Sequence, residues 1–205
     1  MSDEKTMSDE LIITLDKARA AMIKGEFELA KALYDSIHDE DMTISEASFF
    51  SALLHYEAAD DIEGYTEKNK LRALYANLMI LTARPFVLEV KADKTISEDI
   101  QVYLIGCMLN VVDMKPRFGF KMRFLTAKEM EEGIVLLYQL GDTLKEEYGN
   151  HMDLAVQVWK EAIATQREFY GYKYNGIDPE TYAAEIKKVE PDYVMPAKPG
   201  CVSVG

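Results

Sequence analysis

Cysteine and histidine are scarce in this chain, and the common catalytic motifs are missing. The 205 residues include 2 cysteines, Cys107 and Cys201, and 3 histidines. Two cysteines without metal-type spacing exclude a disulfide framework at this length. The sequence also lacks HExxH, CxxC, GxSxG, GxGxxG and a P-loop. It therefore offers no motif for a zinc peptidase, an α/β-hydrolase or a nucleotide-binding fold.

Basic residues are also few. The chain has 23 Lys and Arg and 36 Asp and Glu, which gives a net charge of −13. This charge argues against general nucleic-acid binding, which requires a basic face for the phosphates. The charge is uneven along the chain: residues 1–64 carry 5 bases and 16 acids, 65–125 carry 10 bases and 6 acids, and 126–205 carry 8 bases and 14 acids. Only the middle third is basic.

Long clean apolar runs are absent. The most apolar stretch, 73–90, is interrupted by Arg84 and Pro85, and a membrane span needs about 20 predominantly apolar residues. The first ten residues are acidic and polar, unlike a signal peptide. We therefore expect a cytoplasmic protein that is not inserted in a membrane.

The apolar residues that are present recur mostly at helical spacing, and only 6 Pro and 11 Gly interrupt the chain. We predict an all-α fold of about eight or nine helices, arranged as stacked antiparallel hairpins or as a compact bundle. The first hairpin is marked by a break at Gly25, which can adopt the left-handed conformation that ends a helix. Its two apolar stripes are Leu11, Leu15, Ala18 and Met22, then Phe27, Ala30, Leu33, Tyr34 and Ile37.

Further helix boundaries follow from local signals. Three Thr-x-x-Glu sequences, at 43–46, 95–98 and 126–129, predict capping boxes at helix starts. A helix is predicted over 66–83, with Leu71, Leu74, Tyr75, Leu78 and Thr82 on one face. The pair 84-RP-85 should end it, leaving 86–94 as a loop. The helix after 95–98 should be buried nearly all round, and Asp178-Pro179 should begin the last helix.

Two hairpins resemble the tetratricopeptide repeat (TPR), a helix–turn–helix unit of 34 residues. In the first, near 11–42, Ala18 and Ala30 match the small residues at the helix contact, and Gly25, Phe27 and Tyr34 also fit. Lys17, Ile37 and Met42 depart from the pattern. The second hairpin, near 130–166, matches at Leu137, Leu140, Gly141, Leu144, Ala155, Trp159 and Ala162.

The resemblance implies a TPR-like α-solenoid, whose concave face binds a peptide or helix of a partner. The Lys, Asn and Arg set of the carboxylate-binding members of the family is not present, so that chemistry is not implied. The alternative architecture is a bundle with two similar hairpins. We expect one helical domain over 1–190 and an extended tail over 191–205.

The candidate binding residues lie in the segment 115–124, KPRFGFKMRF, where four bases alternate with three phenylalanines. Pro116 and Gly119 exclude a regular helix there. One interpretation is a connector that binds an acidic protein or peptide, since Arg and aromatic residues dominate interfaces. A second is stacking of the aromatic side chains on single-stranded nucleic acid. The third, which we favour, is that the phenylalanines plug the core. The candidate residues are Lys115, Arg117, Phe118, Phe120, Lys121 and Arg123.

The function that these observations favour is a non-enzymatic protein-interaction scaffold with no metal or other cofactor. One alternative is a small-molecule or metal-dependent enzyme, with a site between helices built from His55, His151 and nearby acids. His38 beside 39-DED-41 and His55 before 60-DD-61 could recruit a divalent ion. The other alternative is a purely structural domain of a larger assembly.

Overall fold

The described part of the protein is helical. The computed structural model describes residues 8–109, 127–170 and 176–197. Of these residues 84% are helical and none forms a strand, which confirms the all-α prediction. The described α-helices are α1 (Asp9–Lys24), α2 (Phe27–Glu40), α3 (Ser45–Ala58), α4 (Tyr65–Ala92), α5 (Glu98–Leu109), α6 (Ala127–Glu147), α7 (Met152–Tyr170) and α8 (Pro179–Val189).

The chain divides between Glu89 and Val90 into two compact units. The predicted single domain over 1–190 stays a prediction, as does the TPR assignment. Of the predicted tail, residues 191–197 are described and are not helical. Residues 198–205 lie outside the described ranges.

The first unit begins with the predicted hairpin. Gly25 has a φ of 74°, and its backbone N–H bonds to the last carbonyls of α1, as a left-handed cap requires. Ala18 and Ala30 are fully buried where α1 packs against α2. Helix α3 then packs against α2 and adds Phe49 and Phe50 to the core.

Helix α4 differs from the prediction. The expected end at Arg84-Pro85 is wrong, because α4 continues through Pro85 to Ala92. The predicted loop after it is therefore helical up to that residue. The reason is tertiary packing: Phe86 is fully buried, stacks on Phe49 at 5.7 Å and meets Phe50 edge-on at 5.3 Å. Burial of an aromatic side chain outweighs the lost hydrogen bond of a single proline.

The second unit contains α5 to α8. Helix α6 packs against α7, and α8 and α5 also pack against α7. Between α6 and α7 lies a short 3₁₀ helix, Gly149–His151. Asp178 caps α8 by accepting the Glu180 N–H, and Pro179 is its first residue, as predicted.

Helix α5 is buried over most of its circumference, as predicted. Its buried residues are Gln101, Leu104, Ile105, Cys107, Met108 and Leu109, and Tyr103 is its exposed large side chain.

Candidate interaction surface

The six residues chosen from the sequence as a binding site all lie outside the described residues. They are Lys115, Arg117, Phe118, Phe120, Lys121 and Arg123. Their role as a connector or as core plugs stays a prediction.

His55, chosen as a candidate for an enzyme site, belongs to a polar cluster on α2 and α3. Its Nε2 lies 3.0 Å from Asp35 Oδ2, and the Ser51 hydroxyl donates to Asp35 Oδ1 at 2.5 Å. Lys31 Nζ adds a third contact to Asp35 at 2.9 Å. Burial raises the pKa of Asp35, but the hydrogen bonds from Ser51 and Lys31 and the nearby His55 outweigh it, so the pKa is lowered overall.

The geometry of this cluster suits a structural role. A nucleophilic serine needs its hydroxyl to donate to a base that can accept the proton. Here Ser51 donates to a carboxylate whose pKa is held low, so Asp35 is a poor proton acceptor. The His55 ring also stacks on Tyr75 of α4, with the centroids 5.2 Å apart. The cluster therefore ties α2, α3 and α4 together.

The other two histidines have separate partners. His38 Nδ1 lies 2.9 Å from the Ser48 hydroxyl, and His151 Nε2 lies 3.9 Å from Glu98. His55 and His151 belong to different units of the chain. Among the described residues, no three His, Cys, Asp or Glu side chains gather as metal ligands would.

A buried ion pair, which the sequence did not suggest, joins α1 to α3. Arg19 Nη2 lies 2.7 Å from Glu46 Oε2, Arg19 Nε also donates to Glu46, and the Tyr34 hydroxyl donates to Oε1 at 3.1 Å. Arg19 and Glu46 are 6% and 1% exposed. Burial raises the pKa of Glu46 even though Arg19 and Tyr34 oppose that shift. The pair fixes the register of three helices.

Glu89 of α4 completes this polar region at the start of α3. Its two carboxylate oxygens accept the backbone N–H groups of Ser45 at 2.9 Å and Glu46 at 3.1 Å. The predicted capping box at Thr43 is wrong, since Thr43 bonds to Asp41 instead. The residue at the N-cap of α3 is Ile44, whose side chain makes no capping hydrogen bond. Glu89, which lies 44 residues after Ser45, supplies the cap, and it orients α4 against α3.

Helix α4 contacts α3 on one side, and it has a second apolar face that is exposed to solvent. Leu74, Leu81 and Leu88 are 60%, 55% and 40% exposed. These three leucines are spaced by seven residues. Leu71, Leu78 and Pro85 lie three or four residues from them, which is the spacing of a coiled-coil seam. We call this row the leucine stripe; its members are Leu71, Leu74, Leu78, Leu81, Pro85 and Leu88.

The sequence identified part of the leucine stripe but not which way it faces. Leu71, Leu74 and Leu78 were placed on one face, and the expected helix end at Pro85 hid the continuation to Leu88. The face that enters the core is the other one, which contains Ala76, Met79, Ile80, Ala83, Phe86, Val87 and Val90. The signal that could have separated them is the aromatic residue: a phenylalanine lies only on the buried face.

These two apolar faces give α4 a high hydropathy. In the described part of the chain it is the one helix with the length and composition of a membrane span, and 39% of its most apolar window is buried in the protein. Comparisons with protein-family models, with curated proteins and with solved structures gave no match.

Proposed function

We propose that this protein is a non-enzymatic helical interaction module that binds an amphipathic helix of a protein partner along the leucine stripe. The observation that carries the proposal is the exposure of Leu74, Leu81 and Leu88 at heptad spacing on one helix. This function agrees with the scaffold role that the TPR resemblance implies.

The leucine stripe has the chemistry of a helix-binding surface. Single exposed leucines are common on soluble proteins, but contiguous exposed apolar rows mark interaction sites. A partner helix with apolar residues at i, i+3, i+4 and i+7 matches such a row. Covering the exposed part of each of the three most exposed leucines would contribute about 1 kcal/mol.

The middle of the stripe is bordered mostly by uncharged residues, as the core of an interface requires. Tyr75, Asn77 and Thr82 border its middle, and Arg84 is the charged residue there. None of the residues that border the middle of the leucine stripe is acidic, although the chain has a net charge of −13. This favours contact with another apolar surface.

The position of helix α4 is fixed by contacts with the rest of the first unit. Phe86 packs into the aromatic core, Tyr75 stacks on His55, and Glu89 caps α3. A surface that is already ordered loses less conformational entropy on binding, so that more of the contact energy appears as affinity.

A designed peptide tests the proposal. We suggest a fluorescein-labelled helix with Leu at each a and d position and Glu or Lys elsewhere, titrated with protein and followed by fluorescence anisotropy. The wild type should bind it, and the double variant Leu74→Glu/Leu81→Glu should lose at least tenfold in affinity, which is about 1.4 kcal/mol.

The matched control is Leu29→Glu, because Leu29 is 50% exposed on α2 and lies outside the stripe. This variant should bind the peptide like the wild type. Equal binding by all three proteins, or none by the wild type, would overturn the proposal. So would stripe-dependent sedimentation with phosphatidylcholine vesicles in place of peptide binding.

The predicted cytoplasmic location belongs to the same proposal. It is supported by Cys107, which is a free, buried thiol, since free cysteines are typical of reducing compartments. An acidic partner for the segment 115–124 remains a separate prediction.

A further inference from the structure

We infer that the partner helix of the leucine stripe is acidic along its flanks, with Asp or Glu side chains beside its own apolar seam. The inference rests on the proposed function of the stripe and names the chemical class of its partner. Three observations carry it: the charges along one border of the stripe, the contacts made by the other border, and the charge of α4 relative to the rest of the chain.

One border of the leucine stripe is basic. When the stripe members occupy the a and d positions of a heptad, the g positions are Lys70, Asn77, Arg84 and Lys91. Three of these four side chains are positively charged and none is negatively charged. Lys70 and Arg84 are exposed to solvent. Residues at g positions lie beside the flank of a bound helix, and their charges set partner choice.

The other border of the stripe is engaged with α3. Its e positions are Lys68, Tyr75, Thr82 and Glu89. Tyr75 stacks on His55 of α3, and the two oxygens of Glu89 accept backbone N–H groups at the start of α3. The negative charge of Glu89 is therefore used within the protein. The charges that a partner helix meets along the stripe are those of the basic border.

The charge of α4 contrasts with that of the whole chain. Helix α4 contains five Lys and Arg and two Asp and Glu, whereas the chain contains 23 and 36. Residues 1–64 contain 5 bases and 16 acids. An acidic helix is therefore attracted to α4 and repelled by the acidic sequence that precedes it. Complementary charges of this kind supply specificity and a higher association rate more than they supply affinity.

The position of the bases favours a partner helix over an anionic membrane. A helix that lies on a membrane has its Lys and Arg on the polar face opposite its apolar face. In α4 the face opposite the stripe is buried in the core, and the net charge of −13 opposes approach to anionic lipid. An antiparallel second copy of α4 is disfavoured as well, because it would set Lys70 against Lys91.

Two designed peptides of zero net charge test the inference. Both have Leu at the a and d positions and Gln at f. The first has Glu at e and g and Lys at b and c, and the second has these charges exchanged. By fluorescence anisotropy the wild type should bind the Glu-flanked peptide at least tenfold more tightly, because the Lys-flanked peptide brings like charges together. This difference should shrink at high salt, since exposed charges are screened.

The charge-reversal variant Lys70→Glu/Arg84→Glu assigns the preference to the basic border. It should bind the Lys-flanked peptide more tightly than the Glu-flanked one, a gain of binding that an unfolded chain could not produce. The single variant Lys70→Glu should show a weakened preference for the Glu-flanked peptide. Lys91 is kept, because its ammonium group lies 4.3 Å from the centroid of the Tyr148 ring.

The matched control is Lys17→Glu/Lys24→Glu, which makes the same change in net charge at two exposed positions of α1. This variant should keep the preference of the wild type. A preference that follows net charge, and is thus lost equally in the control and in Lys70→Glu/Arg84→Glu, would overturn the inference.

The remaining outcomes separate this inference from the proposed function. Equal binding of both peptides through the stripe, or a preference for the Lys-flanked peptide, would overturn the acidic partner and leave the proposed function standing. So would self-association through the stripe that the Glu-flanked peptide cannot displace. Binding of neither peptide would overturn both, as would stripe-dependent sedimentation with phosphatidylserine vesicles in place of peptide binding.

Discussion

Arg19 on α1 and Glu46 on α3 form an ion pair with both side chains buried, their closest atoms 2.7 Å apart. Such a pair is a weak source of net stability, because removing both charges from water offsets much of their attraction. It is nevertheless costly to break, since one uncompensated charge then stays buried. Its role in the first unit is to fix how α1, α2 and α3 align.

Removing one partner of this ion pair should destabilise the protein more than replacing both partners by apolar residues. We expect Arg19→Ala to lower the free energy of unfolding by about 3 to 5 kcal/mol, because Glu46 is left buried without its main partner. The double variant Arg19→Met/Glu46→Leu should lose much less. Urea denaturation followed by circular dichroism measures both, and a double variant that is less stable than Arg19→Ala would contradict this interpretation.

The Glu89 cap predicts a second effect. Glu89→Ala leaves the Ser45 and Glu46 N–H groups without their carboxylate, and we expect a loss of about 1 to 2 kcal/mol. Glu63→Gln, at an exposed position before α4, serves as the charge control and should change little. If the two variants have the same urea midpoint, Glu89 contributes nothing as a cap.

The second unit contains a close helix approach at Gly141. A Cβ placed there would lie 2.4 Å from the Trp159 ring, whereas a Cβ at Gly106 of α5 would meet nothing within 4 Å. We expect Gly141→Ala to destabilise by about 1 to 3 kcal/mol through overpacking. Gly106→Ala should be neutral or stabilising by up to about 1 kcal/mol. Thermal unfolding of the two variants side by side checks the contrast, and equal melting temperatures would argue against it.

Pro85 interrupts the hydrogen bonds of α4 without ending it. Replacing it by alanine restores an N–H that can reach the carbonyl of Leu81, and Pro85 itself is exposed. We expect Pro85→Ala to stabilise the protein by about 1 to 3 kcal/mol. A drop in the urea midpoint would mean that the local geometry of α4 depends on the proline.

Local signals predicted the ends of several elements well. Gly25 ends α1, Asp178 and Pro179 begin α8, and the hairpins α1–α2 and α6–α7 lie where their apolar stripes place them. These features depend on residues close in sequence, so their physical causes are visible in a short window.

The misplaced features depend on distant residues. Pro85 is a strong local stop, yet Phe86 finds a stacking partner in Phe49, 37 positions earlier. Thr43 has the right spacing for a capping box, yet its hydroxyl donates to Asp41, and Glu89 accepts the backbone N–H at the start of α3 instead. The same happens at 95–98, where Thr95 bonds to Asp93 and Ser97 accepts the Ile100 N–H.

The candidate surface shows the same limit. Heptad spacing is readable from the residues, but α4 has two apolar faces, and only the packing of Phe86 decides which one enters the core. Local patterns in the sequence therefore indicate a leucine face but not the direction in which it points.

The central claim is that the leucine stripe is open to solvent and is covered by a helix when a partner binds. It is tested most directly by the rate at which a maleimide reagent modifies Leu81→Cys in dilute protein, in a background that carries Cys201→Ser and retains the buried Cys107. Met79→Cys, fully buried two residues earlier on the same helix, is the control.

We predict that Leu81→Cys reacts nearly as fast as in the urea-unfolded chain, that Met79→Cys reacts far more slowly, and that the designed leucine peptide slows only the former. Modification of Leu81→Cys as slow as that of Met79→Cys, or a rate that the peptide leaves unchanged, would contradict the account.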